Sequence, residues 1–81
     1  MRIKTNEQRD FDKYVGKMVA NIRESKKVSQ MQMAVDLGIE RGSVAKIENG
    51  YNSASLYRLF QICNYLGVHV QYIIPHQPIK P

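Results

Sequence analysis

The segment at 29–50, SQMQMAVDLGIERGSVAKIENG, constrains the fold of this chain more than any other stretch of its sequence. Ser29 is followed three residues later by a glutamine, which is the capping-box pattern that starts a helix. Gly38 suits the left-handed backbone that ends a helix, so this helix spans only about eight residues. A further short helix is predicted from 41 to 49 and is closed by Gly50. Two short helices separated by a tight turn are therefore expected here.

Helical patterns flank this segment on both sides. The sequence TNEQ at 5–8 is a second capping box, and either Asp10 or Asp12 is an alternative start for the same helix. The apolar residues that follow at helical spacing predict a first helix that ends near Ser25: Phe11, Val15, Met18, Val19 and Ile22. Ser53 or Ser55 caps a fourth helix that ends at Gly67, with this inward stripe: Leu56, Leu59, Phe60, Ile62, Cys63 and Leu66.

The segment VHVQYII at 68–74 changes period and predicts a β-strand that ends at Pro75. A lone strand leaves its backbone groups without partners. Either residues 1–5 supply the partner strand or a second copy of the chain does, and we favour an interchain ribbon around a two-fold axis. One face of the strand is then the dimer interface: Val68, Val70, Tyr72 and Ile74. The predicted organisation is an arm with the start of helix one at 1–10, a helical domain at 11–67, the dimerisation strand at 68–74 and a flexible tail at 75–81.

Composition limits the class of protein. A chain of 81 residues makes one small domain, and such a domain is marginally stable unless it is cross-linked or oligomeric. Cys63 is the only cysteine, so an internal disulfide is impossible, and a reducing compartment is expected. Twelve basic residues against seven acidic ones give a net charge of +5, which suits a polyanionic partner. No apolar run is long enough to span a membrane and no signal peptide is evident, so we predict a cytoplasmic protein.

Two short helices joined by a glycine-centred turn, the second with an exposed polar face, indicate a helix-turn-helix. In that motif the second helix enters the major groove of DNA. The residues at 29–50 resemble the helix-turn-helix of the Xre (Cro/C1-type, phage-repressor-like) family. The shared features are the opening Ser29-Gln30, Ala34, Leu37-Gly38-Ile39, Val44 and Ile47-Glu48-Asn49-Gly50. The resemblance covers about residues 11–67 and implies a mostly α, four-helix, lambda-repressor-like domain, to which the C-terminal strand is added.

The resemblance also implies roles for individual residues. The positions that face bases or their flanking phosphates are Glu40, Arg41, Gly42, Ser43 and Lys46. The positions expected to meet DNA phosphates are Gln30, Asn49 and the backbone near Tyr51. Arg23 and Glu48 match a pair that forms a partly buried salt bridge between helices one and three in several members of the family.

Side-chain chemistry agrees with the role of Arg41, because a guanidinium matches the two acceptors of guanine and discriminates by about 1–3 kcal/mol. Gly42 removes one possible base contact, and it is either an adaptation for close backbone approach or a tolerated surface glycine. Glu40 could accept a hydrogen bond from a cytosine amino group. We favour a second role for it, at the helix N-terminus, where negative charge is favourable.

These residues predict a homodimeric repressor that binds a palindromic operator in double-stranded DNA. The strand at 68–74 is similar in type and position to that of HipB-like antitoxins, which implies a kinase-type toxin as a second partner. A restriction-modification controller or a phage or plasmid repressor is the alternative, and a helical segment at 68–74 would favour a controller. A protein-interaction module with little DNA role is the alternative from another class. No residues form a nucleophile–base pair or a metal site, so we expect no enzyme activity, metal or cofactor.

Overall fold

Four α-helices make up the domain that the computed structural model describes over residues 3–75. They are α1 (Asn6–Ser25), α2 (Gln30–Leu37), α3 (Arg41–Glu48) and α4 (Leu56–Leu66), and a single 3₁₀ turn follows at Val70–Tyr72. Both α1 and α2 pack against α3, and α4 contacts α1 and α2 on the other side of the core. The predicted small four-helix domain is confirmed.

Local sequence signals determine where the helices begin. The Thr5 hydroxyl accepts a hydrogen bond from the Gln8 amide, and the Gln8 side chain accepts one from the Thr5 amide. This completes the capping box predicted at the start of α1. Ser29 and Ser55 start α2 and α4, since each hydroxyl accepts a bond from the amide three residues later. α2 ends at Leu37 with Gly38 as its left-handed C-cap, as the sequence predicts.

A single apolar cluster forms the core, and every helix contributes to it. Its buried members are Val15, Val19, Met33, Ala34, Val44, Ile47, Leu59, Ile62, Cys63, Leu66 and Ile73. Cys63 is only 2% exposed, and burial raises the pKa of its thiol. The thiol is therefore packed as a small apolar side chain, in agreement with its place in the predicted stripe of α4.

The segment at 68–74 does not form the predicted β-strand. Its backbone makes a 3₁₀ turn instead, in which the Ile73 and Ile74 amides both donate to the Val70 carbonyl. The turn buries Ile73 completely in the core. In the predicted strand, the alternation of side chains places Ile73 on the face opposite the predicted dimer interface. The physical reason is that the turn satisfies the backbone locally and buries one more large side chain, so the segment needs no partner strand.

The dimer interface predicted on that strand is wrong in its geometry. Val68, Val70 and Ile74 lie half-buried at the edge of this chain's own core, and only Tyr72 is largely exposed, at 60%. In the described part of the alternative partner segment, residues 3–5, no strand is present either. The predicted flexible tail lies outside the described residues beyond Pro75.

Candidate nucleic-acid interface

One side of α3 presents polar side chains to solvent. Val44 and Ile47 are buried in the core, and they fix which side of the helix points outward. The residues predicted to face bases are all exposed: Glu40, Arg41, Gly42, Ser43 and Lys46. The structure therefore brings these five predicted residues together on one accessible surface.

Two details of that surface bear on the alternatives left open by the sequence. A Cβ built on Gly42 would meet nothing within 4 Å, so no contact inside the domain requires a glycine there. Glu40 is the N-cap residue of α3, but its carboxylate makes no capping hydrogen bond. Its charge still lies at the positive end of the helix dipole, where an acidic side chain is favourable.

Arg23 and Glu48 join α1 to the C-terminal end of α3. Nε of Arg23 donates to Oε2 of Glu48 at 2.7 Å, and Nη2 donates to Oε1 at 2.9 Å. Their side chains are only 8% and 6% exposed. The hydrogen bond with Glu48 is the main cause that raises the pKa of Arg23, so the guanidinium is a permanent cation in this site.

The same two residues also fix the turn before α2 and the start of α2 itself. Nη1 of Arg23 donates to the Val28 carbonyl at 2.6 Å, which ties down that turn. Nε2 of Gln30, in the first turn of α2, donates to Oε1 of Glu48 at 2.9 Å. One arginine on α1 and one glutamate on α3 thus set the relative orientation of α2 and α3. The Gln30 amide nitrogen carries a second hydrogen, which leaves one donor for a phosphate.

In the turn after α3, some of the groups predicted to bind phosphates already form hydrogen bonds within the chain. The Tyr51 amide donates to Oδ1 of Asn49 and to the Lys46 carbonyl, at 2.9 Å in each case. This backbone amide is therefore engaged, and the remaining donors are the Asn49 amide nitrogen and the Tyr51 hydroxyl. The Tyr51 ring is 68% exposed, and Nζ of Lys46 lies 6.0 Å from its centre, within the range of a cation–π contact.

A buried polar cluster holds the same turn against α1, and sequence reasoning missed it. Asp12 is 4% exposed and accepts hydrogen bonds from the Ser53 hydroxyl at 2.6 Å. Nζ of Lys4 lies 2.7 Å from the Asp12 carboxylate and donates to the Gly50 and Tyr51 carbonyls. One signal was available in the sequence, because Asp12 falls in the same helical stripe as the buried valines of α1.

The part of the chain that the structure describes contains neither a candidate metal site nor a helix that could span a membrane. Between residues 3 and 75 no three side chains of the His, Cys, Asp or Glu type come together as a metal site would require. Over the same span, no helix combines the length and the apolar character needed to cross a membrane. The exposed face of α3 and the turn after it are therefore the site with the most extensive supporting geometry.

Comparison with known families gives one match. The family model HTH_3, described as Helix-turn-helix, matches residues 19–73. This range runs from the middle of α1 to the 3₁₀ turn and includes the whole exposed face of α3. No curated protein matches the sequence.

Solved structures share the fold. The DNA-binding domain of BldD is 22% identical with a TM-score of 0.76, and the match covers 83% of this chain and 97% of that domain. The restriction-modification controller protein C.AhdI from Aeromonas hydrophila is 25% identical with a TM-score of 0.73, and coverage is 80% and 97%. HppE is 26% identical with a TM-score of 0.74, but the match covers 79% of this chain and only 36% of HppE. These matches establish the fold. The matches to the BldD domain and to C.AhdI cover nearly the whole length of each.

Proposed function

The chain belongs to the HTH_3 helix-turn-helix family, whose members are DNA-binding regulator domains, and we propose that it is a transcriptional repressor that binds a specific operator in double-stranded DNA. The observation that carries this proposal is the accessible polar face of α3. Its side chains make no hydrogen bond to other side chains in the described residues, while the helix that bears them is fixed by Val44, Ile47 and Glu48. A rigid helix whose outward polar side chains keep their hydrogen-bonding groups available is what base recognition in the major groove requires.

Individual residues of this face receive distinct roles in the proposal. Arg41 donates to the O6 and N7 acceptors of a guanine, and Ser43 and Lys46 contact neighbouring bases or phosphates. Glu40 and Gly42 lie beside Arg41 and limit which bases fit. Gln30, Asn49 and Tyr51 bind backbone phosphates on either side of the groove, through the donors that their internal hydrogen bonds leave available.

We further propose that the protein acts as a homodimer on a palindromic operator. A single domain of this size offers limited contact, and a two-fold dimer reads two half-sites about 34 Å apart. Since the C-terminal strand is absent, support for the dimer now comes from α4. Leu56, Tyr57 and Phe60 are 78%, 68% and 55% exposed, which is unusual for large apolar side chains that lie within two turns of one helix.

The regulatory setting closest to these observations is that of a restriction-modification controller. C.AhdI is a restriction-modification controller protein, and the match covers 97% of it and 80% of this chain. The 3₁₀ turn at Val70–Tyr72, in place of the predicted strand, also favours a controller over a HipB-like antitoxin. A HipB-like antitoxin with a kinase partner depends on the predicted strand, and no strand is present among residues 3–75.

Selection from a random double-stranded oligonucleotide library at low salt tests the proposal. We expect one enriched, two-fold symmetric sequence, and affinity that falls about a thousandfold from 50 to 200 mM salt if about six phosphates are neutralised. Arg41→Ala should lose about 1–3 kcal/mol of preference at a single base pair of each half-site. If Arg41→Ala instead weakens binding to every sequence equally, Arg41 does not read a base. Absence of enrichment together with absence of salt-dependent binding would refute the proposed function.

A further inference from the structure

A basic cleft lies beside the exposed face of α3, at the junction of α1 with the turn after α3. Its volume is about 410 Å³, and its lining combines three cations with one short turn: Lys4, Arg9, Lys13, Asn49, Gly50 and Tyr51. None of the cations was singled out as a DNA contact by the motif, because they precede the matched region at 19–73. The cleft therefore needs an explanation of its own.

Arg9 and Lys13 supply the available charge of this cleft. They lie one helical turn apart on α1, both are exposed, and neither forms an ion pair with any residue between 3 and 75. The acidic side chains of the same stretch, Glu7 and Asp10, line a different groove together with Phe11. The first half of α1 thus separates its charges, and the positive side faces the cleft.

Lys4 has a different task in the cleft. Its ammonium group is 2.7 Å from the Asp12 carboxylate and also donates to the Gly50 and Tyr51 carbonyls, at 3.2 and 2.9 Å. These contacts neutralise a buried carboxylate and two carbonyl oxygens that would otherwise repel an anion. Lys4 consequently fixes the floor of the cleft, while Arg9 and Lys13 remain for a ligand.

Close packing holds the cleft in a fixed position relative to α3. Gly50 has a φ of 76°, and a Cβ built on it would lie 2.9 Å from the Cα of Lys13. The backbone of α1 therefore rests directly on the turn. Tyr51, which lines the cleft, has its ring centre 6.0 Å from Nζ of Lys46 on α3. Tyr51 therefore connects the cleft to the exposed face of α3.

We propose that Arg9 and Lys13 bind a phosphate of the DNA backbone that lies beyond the segment read by α3. The inference rests on the proposed function, since a duplex seated on α3 extends its backbone past Tyr51 toward the cleft. A guanidinium and an ammonium one turn apart match a phosphate group, which accepts several charge-assisted hydrogen bonds. The contact adds affinity and fixes the register of the duplex, and it does not read sequence.

Phosphate-ethylation interference on the selected operator tests this contact, with the double variant Arg9→Gln/Lys13→Gln compared to the unmodified chain. We expect the unmodified chain to show interference at a phosphate outside the bases that α3 reads, and the variant to lose interference there alone. The slope of log affinity against log salt should become shallower by about 1.8, or about 0.9 for each subunit of the dimer, which corresponds to about sixtyfold weaker binding at 0.1 M salt. Sequence preference should not change.

Lys26→Gln/Lys27→Gln is the matched control, because it removes the same net charge from the opposite end of α1. It should leave interference at the outer phosphate intact. All four side chains are exposed, and equal thermal unfolding of the variants excludes misfolding as the cause. If the unmodified chain binds the operator but the Arg9 and Lys13 variant keeps the same interference pattern and slope, this inference is wrong while the proposed function stands. If the unmodified chain binds no DNA, both fail.

Discussion

Gly16 of α1 faces the carbonyl group of Glu48 at the end of α3 so closely that a Cβ built on the glycine would lie 2.5 Å from that oxygen. The carbonyl oxygen of Ile47 is in contact with the same point. Both are backbone atoms at the C-terminal end of a helix, and they cannot move aside as a flexible side chain would. The distance between α1 and α3 is therefore set by the absence of a side chain at position 16.

Gly16→Ala should destabilise the domain by about 1–3 kcal/mol, since overpacking forces the two helices apart despite the better helix propensity of alanine. Gly42→Ala is the control, because its Cβ would meet nothing within 4 Å. That change should stabilise by up to about 1 kcal/mol. Urea unfolding measures both, and an unfolding free energy of Gly16→Ala equal to or above the unmodified value would contradict the close packing.

Glu48→Ala should be among the most destabilising single changes, at about 3–5 kcal/mol, because it leaves the buried Arg23 guanidinium without its counter-charge. The double variant Arg23→Met/Glu48→Met should recover much of the loss, since similar apolar side chains replace the pair. Denaturant unfolding of Arg23→Met, Glu48→Met and the double variant measures their coupling. Additive losses in the cycle would show that the two side chains do not depend on one another.

Ile73→Ala should lower the unfolding free energy by about 2–5 kcal/mol, because the side chain is completely buried. Tyr72→Ala, at a neighbouring residue that is 60% exposed, should change it by less than about 0.5 kcal/mol. Thermal unfolding at several protein concentrations compares the two. The reverse order, with a large effect of Tyr72→Ala that depends on concentration, would instead support an interchain strand.

Tyr65 gives a pH-dependent prediction. Its hydroxyl donates to the Asp36 carboxylate at 2.5 Å, and this bond, with burial and the nearby negative charge, raises the pKa of Tyr65. A raised pKa in the folded state means that the bond stabilises fully below about pH 10 and that its contribution disappears as pH rises through the folded pKa. The unmodified chain should therefore lose more stability above about pH 10 than Tyr65→Phe does.

Unfolding by urea at increasing alkaline pH measures this difference, and Tyr57→Phe serves as the control on the same helix, at a side chain that is 68% exposed. The control should follow the unmodified chain at every pH. Parallel curves for the unmodified chain and Tyr65→Phe would argue against the bond to Asp36.

The helices could be predicted from the sequence because their signals are local. Capping at Thr5 and Ser29 and the chain reversal at Gly38 depend on residues within one turn of each other, so no tertiary information is needed. The placement of the exposed side of α3 follows from the same local information, since Val44 and Ile47 leave it only one way to pack.

The segment at 68–74 shows where local information ends. Alternating apolar residues are compatible with a strand, but the space beside α4 accepts Ile73 only if the chain turns. The same limit applies to α4 itself, where Leu56 and Phe60 were expected inward and are 78% and 55% exposed. The core buries only a narrow stripe of α4. The width of that stripe depends on the neighbouring helices, so the sequence of α4 alone does not predict it.

Helical periodicity places Asp12 in the buried stripe of α1, but its contact with Lys4 could not be predicted from the sequence, for another reason. The lysine reaches carbonyl groups of Gly50 and Tyr51, more than forty residues along the chain, through a long and adaptable side chain. Neither helical periodicity nor a capping pattern carries information about such a contact.

The buried network of Arg23, Gln30 and Glu48 separates two tasks that many small domains must share among the same residues. Hydrogen bonds among these three residues orient α3, whereas Arg41 and Ser43 are exposed and bond to no other side chain between residues 3 and 75. Under the proposed function, exchange of Arg41 or Ser43 would change the operator that the domain binds and leave the scaffold intact, so that chains of one fold could diverge in their targets.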